Sequence, residues 1–225
     1  MSSASDAEIL SETELAALPV FPLPNVVLFP GADLSLHLFE PRYRAMMERC
    51  VSDGPMAMAI ARLRPGYEAD YEGHPPIEPI AGGGRIMDWR RRPDGRFDLL
   101  LRGVGRLSLE EIPRERDEYR VAHARLLDDR VSHPELVADA HTALLSVLPA
   151  FLGVVRECAP GFEWDLGDDL APGELADRLA HRVVVHPLMR QRLLETLDVK
   201  VRLTLLREAI LELTASLRGK PEVLN

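Results

Sequence analysis

Between Leu18 and Arg44 the chain reads LPVFPLPNVVLFPGADLSLHLFEPRYR, a stretch in which closely set prolines leave few conformations open. Pro22, Pro24 and Pro30 fix φ and withhold amide donors, so the β-prone runs Val20-Phe21 and Val26-Val27-Leu28-Phe29 between them read as short strands. Pro30-Gly31 reads as a turn. After it Leu34, Leu36 and Leu38 alternate with Ser35, His37 and Phe39, the period of a half-buried strand. Glu40-Pro41 then opens a helix, because proline at the first helical position sacrifices no intrahelical hydrogen bond, and Tyr43, Met46, Met47 and Cys50 recur at helical spacing.

Strand signals continue through Met56 to Ile60, Gly84 to Trp89, Phe97 to Leu101, Arg106 to Ile112 and Tyr119 to Leu127, with Pro93-Asp94-Gly95 as a hairpin turn. Gly103-Val104-Gly105 imitates part of a dinucleotide fingerprint, but no helix follows it, so it reads as a turn between strands. Pro65 to Pro79 is proline-rich and reads as a long surface loop. After Asp129 the period becomes helical. Ser132-His133-Pro134-Glu135 has the form of a capping box, and Leu136, Ala140, Leu144, Leu148, Phe151 and Val155 form a stripe that Pro149 should kink or split. Further helices are expected near 172–185, 188–196 and 198–218, the last capped by Asp198 and carrying Leu203, Leu206, Ile210, Leu213 and Leu217. Strands first and helices second give an α+β chain: an acidic disordered tail at 1–17, a β subdomain at 18–128, a helical subdomain at 129–218 and a short tail at 219–225.

The residues argue against most chemistry. Lysine occurs at positions 200 and 220 alone, and Pro221 follows the second, so no glycine-rich loop with a phosphate-binding lysine can be drawn. Ser216 and Lys220, the nearest serine–lysine pair, fall at the frayed end of the final helix. No serine stands in a nucleophile elbow, and His181 and His186 are five residues apart, on different helix faces. Cys50 and Cys158 read as buried or inert thiols, too few and too distant for a disulfide framework or a paired-thiol zinc site. No catalytic residue, metal or cofactor is therefore expected. The net charge of -9 disfavours nucleic acid as the main partner, since phosphate affinity comes chiefly from cationic side chains. Arg90-Arg91-Arg92 beside Trp89, with Arg96 across the turn, is the one basic and aromatic cluster; interleaved Asp88, Asp94 and Asp98 make it a solvated hairpin tip. With no signal-peptide pattern and no run near the roughly 18 apolar residues of a membrane span, a cytoplasmic protein is expected.

The pattern of the Leu18–Arg44 run resembles the start of the Lon substrate-binding domain, the amino-terminal region of Lon proteases. The motif residues Pro30, Gly31, Glu40, Pro41, Arg42 and Tyr43 carry that likeness. Gly84-Arg85-Ile86 leading to Trp89, and Leu99 to Arg106, resemble the family's hairpin and the strand after it, while Asp177 to Ala180 and Leu193 to Leu203 resemble its carboxy-terminal helices. The resemblance implies a PUA-like β pseudo-barrel followed by a C-terminal α-helical bundle. It also implies a non-enzymatic protein that recognises unfolded polypeptide or a protein partner, as an adaptor alongside a separate protease, with RNA binding or an unrecognised hydrolase site as alternatives. Glu40 is expected to serve the positive helix end while Arg42 or Arg44 pairs with a barrel carboxylate. For recognition, a barrel edge near Val26 to Phe29, the groove between barrel and helices, and the loop aromatics Tyr67, Tyr71, Phe162 and Trp164 are the candidate surfaces. Purified protein is expected neither to hydrolyse ATP nor to cleave an unfolded chain; sustained turnover in a preparation cleared of contaminating activity would contradict this.

Overall fold

One long strand closes the first half of the chain upon itself. The computed structural model describes residues 10–71, 73–113, 118–159 and 170–219, and the chain divides into two units, Met1–Asp128 and Asp129–Asn225. In the first, β1 (Leu18–Leu23), β2 (Asp33–Leu38), β3 (Ala57–Arg62), β4 (Ile80–Arg91), β5 (Phe97–Ile112) and β6 (Arg120–Leu127) form a mixed sheet in the order β2-β5-β4-β3-β1-β6. β6 also pairs with β5, so five strands close into a barrel and β2 extends it. β1 and β3 are parallel, and the crossover between them carries β2 and helix α2 (Pro41–Ser52). That helix buries Tyr43, Met46, Met47 and Cys50, the stripe its sequence spacing marks. Tyr43 meets Phe21 of β1 edge-on, with ring centroids 4.5 Å apart. Burial pushes the Cys50 thiol up to about 12, which leaves it inert at neutral pH. Cys158, by contrast, is only half-buried.

Two expectations for this half are corrected. Gly103-Val104-Gly105 is no turn but the interior of β5, where Gly83 pairs with Gly105 and Gly84 with Gly103, leaving Val104 as the extra residue of a bulge. Val26–Phe29 is no strand either, and so offers no barrel edge. Val27, Leu28 and Phe29 are at most 2% exposed, and their backbone crosses the glycine-rich stretch of β4 and β5. A Cβ on Gly82 would strike the Leu28 carbonyl, and one on Gly103 the Phe29 carbonyl. The contact is locked where the Gly31 N–H donates to Gly103 O and the Gly103 N–H donates to Ala32 O, both at 2.8 Å. Proline spacing thus produces a buried crossing segment, since Pro24 and Pro30 interrupt any ladder the segment could join.

Within the stretch read as an acidic tail, Leu10 is 2% exposed in the core with Leu18, Val20, Ala81 and Leu107. Ser11 and Glu14 form a capping box around helix α1 (Glu12–Leu15), and Arg85 of β4 grips the Glu14 carboxylate at 3.0 and 3.2 Å.

The second unit comprises α3 (Pro134–Cys158), α4 (Pro172–Val183), α5 (Pro187–Glu195) and α6 (Val199–Arg218) among the described residues. α3 runs unbroken through Pro149, and its N-cap is His133 without a side-chain cap, so the capping box read at Ser132 is not formed. Its buried stripe is Val137, Leu144, Leu148, Phe151 and Val154; Leu136 is exposed. α3 is also long and apolar enough, by length and composition, to cross a membrane, unlike anything expected from single runs of the sequence. Asp198 caps α6 by accepting from the Val201 N–H at 3.0 Å, as read.

Arg202, 0% exposed on α6, holds this unit's entry point. It donates to Asp129 Oδ1 at 2.9 Å and to the Thr196 carbonyl at 2.8 Å, and its Nε lies 3.3 Å from Asp177 Oδ1 on α4. Main-chain bonds from Arg130 N to Leu197 O and from Val199 N to Arg130 O complete the anchorage. Truncating one partner of a buried ion pair strands the others, which costs about 3–5 kcal/mol. Arg202→Met should therefore lower the stability of the helical unit by about that amount in denaturant titration, and Arg202→Met with Asp177→Leu should recover part of the loss. In the barrel, Gly82→Ala or Gly103→Ala should cost about 3 kcal/mol, because the added methyl meets main chain that cannot rotate aside. Equal melting temperatures for these variants and wild type would contradict the crossing.

Candidate functional site

The helical unit carries an apolar groove whose origin lies in a helix-breaking sequence. Val183-Val184-Val185-His186-Pro187 ends α4, since successive β-branched residues disfavour helix and the residue before proline is driven extended; His186 has φ -72° and ψ 118°. Pro187 then restarts the helix as α5. Val183 and Val184 turn inward at 7% and 8% exposure, whereas Val185 stands 78% exposed and Leu188 50%. α6 supplies the facing wall through Ala209, Glu212, Leu213 and Ser216, which share one helix face. Thr214, rather than Leu213, is the buried residue there, its hydroxyl donating to the Ile210 carbonyl at 2.6 Å, and this rotation presents Leu213 to the groove. The groove holds about 570 Å³. His186, Arg192 and Glu212 provide its polar edge, a mixture without a dominant charge. Such a surface suits apolar side chains.

The aromatic loop takes a different form. Tyr67 and Tyr71 bracket a short 3₁₀ turn (Tyr67–Asp70), with ring centroids 6.2 Å apart. Tyr67 packs partly against the barrel core, while Tyr71 is 39% exposed. Arg42 pins this loop to the start of α2 by donating to the carbonyls of Gly73 at 3.2 Å and Tyr71 at 3.4 Å. Arg42 also pairs with Glu40, the helix's own N-cap residue, at 3.0 Å. Glu40 makes no side-chain cap; its carboxylate serves Arg42 and lies 3.5 Å from the Tyr71 hydroxyl. Two motif residues, Glu40 and Arg42, and the loop aromatic Tyr71 thus form one cluster through polar contacts that linear spacing could not reveal. Phe162 and Trp164 lie outside the described residues.

The arginines of the hairpin pair with its own aspartates and with Glu48 of α2. Arg92 reaches Asp98 at 2.7 Å, Arg90 reaches the same carboxylate at 3.3 Å, Arg91 pairs with Glu48 at 2.9 Å and Arg96 with Asp94 at 3.4 Å. Hydrogen bonds from Arg92 and then His37 hold the Asp98 carboxyl well below the usual carboxylate range.

The groove itself escaped sequence reasoning. Its one available signal was the run of three valines before His-Pro between two amphipathic helices.

Residues 17–212 match the family described as the ATP-dependent protease La (LON) substrate-binding domain. Among curated relatives, Lon protease of Chloroflexus aurantiacus is 31% identical over 210 residues, covering 89% of this chain, and Lon protease of Xanthomonas oryzae pv. oryzae is 24% identical over 196 residues, covering 87%. The chain spans about a quarter of the length of these relatives, 25% and 23% respectively. Among solved structures, the N-terminal domain of Mycobacterium avium complex Lon protease aligns with a TM-score of 0.61 at 15% identity, covering 87% of this chain and 98% of that one. A Lon N-terminal domain protein from Xanthomonas campestris aligns with a TM-score of 0.54 at 23% identity, covering 83% and 94%. These likenesses establish the α+β fold, and the match over residues 17–212 establishes that the chain belongs to the Lon substrate-binding domain family.

Proposed function

We propose that this protein is a non-enzymatic polypeptide-binding module, and that the groove between the α4–α5 connection and α6 receives apolar side chains of an unfolded segment. The observation that carries this reading is the exposure of Val185 and Leu188 beside buried Val183 and Val184, which gives a continuous apolar path on a domain whose family is one of substrate binding. Burying an aliphatic side chain contributes about 1.5–3 kcal/mol, so two or three seated residues suffice for useful affinity without a fixed sequence. Tyr71 adds an exposed ring on the barrel, with Tyr67 as its support; Phe162 and Trp164 are proposed for the same role on sequence grounds alone. An adaptor working with a separate protease in the cytoplasm is the setting that accords with this reading. RNA binding loses its charge basis, because the arginines of the hairpin are committed to carboxylates.

Val185→Asp and Leu188→Asp, both at exposed positions, should shift stability by no more than about 0.5 kcal/mol yet weaken binding of a reduced, alkylated protein chain at least about tenfold. Fluorescence anisotropy and thermal melts on the same samples decide the matter. Undiminished affinity in both variants would remove the groove from the binding site.

A further inference from the structure

In the order β2-β5-β4-β3-β1-β6, with β6 returning to β5, β2 alone lacks a neighbour along one entire side among the described residues. Its register against β5 runs without a shift from Asp33↔Arg102 to Leu38↔Phe97. Ala32 O accepts from Gly103 N at the start of this pairing. In an antiparallel ladder alternate residues face the partner, so Leu34, Leu36 and Leu38 turn their main-chain groups to β5, while Ser35 and His37 turn theirs outward. Both outward residues are exposed.

Open edges in natural proteins are usually guarded by lysine, proline, a bulge or a charge projecting past the edge. None of the first three occurs within Asp33–Leu38. The two ionisable side chains are drawn back across the sheet: Arg102 grips Asp33 at 2.8 and 2.9 Å, and His37 Nδ1 meets Asp98 Oδ1 at 2.7 Å. Each of these pairs joins direct register partners, so the charge lies over β5 and away from the edge. Phe39, 57% exposed, follows the strand, and a concavity over the face of β2, β5 and β4 is lined by Leu36, Trp89 and Leu100 together with Asp88, Arg90 and Asp98.

We propose that the free edge of β2 captures an extended segment of unfolded polypeptide by strand addition, with the main-chain groups of Ser35 and His37 as the docking contacts. This rests on the polypeptide-binding reading and adds its substrate class: segments able to become a strand about six residues long, recognised by backbone more than by side chain. The length argues for a client over a second copy. A strand of that size spans only about 20 Å, and pairing two of them falls short of the roughly 1,000 Å² a stable protein interface buries.

The test uses the full chain and a reduced, S-alkylated protein as probe. Saturating probe should slow amide hydrogen exchange at Ser35 and His37 at least about tenfold, while Leu34 and Leu36, already laddered to β5, change little. Ser35→Pro removes an outward donor without touching the β5 ladder and should weaken binding at least about tenfold, whereas Ser35→Ala should bind like wild type. If Ser35→Pro fails to fold, exchange on the wild-type chain decides. Binding without protection at Ser35 and His37 overturns strand addition and leaves the polypeptide reading standing. No binding by wild type sinks both. Protection that appears without probe and grows with protein concentration assigns the edge to a second copy and overturns the proposal.

Discussion

The barrel depends on a close approach of main chain to main chain. Leu28 and Phe29 pass over β4 and β5 at a distance that tolerates only hydrogen at Gly82 and Gly103, and the bonds between Gly31, Ala32 and Gly103 fasten the end of the crossing. This delivers three large apolar residues, Val27, Leu28 and Phe29, to the interior, and it sets the point from which β2 departs along β5. The glycines of β4 and β5 would weaken an ordinary strand through entropy and lost packing. Here their missing side chains are the space the crossing segment fills. The bulge at Val104 belongs to the same arrangement, since it realigns β5 between the part paired with β2 and the part paired with β6.

Charge is handled differently from apolar mass. Arginine supplies nearly all the cations in this chain, and its planar fork satisfies several acceptors at once. Arg202 joins Asp129, Asp177 and a carbonyl inside the helical unit, Arg120 joins Glu111 and the Pro75 carbonyl in the barrel, and Arg62 joins Glu78. Each ties a loop or an entry point to a regular element. At the hairpin the same chemistry neutralises what looks in linear sequence like a basic patch, so a net charge of -9 is accompanied by no concentrated positive face there.

The two proposed surfaces divide recognition between side chain and backbone. A groove of valine and leucine takes apolar residues of any shape that fits, while a strand edge takes any chain that can extend. Neither requires a defined sequence, and that tolerance accords with a family whose description is substrate binding. The groove exists because a β-branched run and a proline break one helix and start another. The edge exists because both ionisable side chains of β2 are paired across the sheet, where they do not obstruct it.

Local sequence determined the elements whose signals are local. Pro41 and its apolar spacing specify α2, Pro93-Asp94-Gly95 specifies the hairpin, Asp198 caps α6, and the change of period after Asp129 separates strands from helices. Together with the motif residues from Pro30 to Tyr43, they placed the chain in its family. Tertiary structure decided whatever depends on partners remote in sequence. Val26–Phe29 has the composition of a strand, but its neighbours are glycines more than fifty residues away, and burial against them replaces a ladder. Gly103 and Gly105 look like turn residues until β4 is laid beside them. Arg202 is unremarkable in a helix sequence, yet Asp129 and Asp177 converge on it. Hydrophobic period distinguishes a buried face from an exposed one only while a helix packs regularly, so the exposure of Val185 and the turn of Leu213 into the groove emerged only when α4, α5 and α6 were assembled.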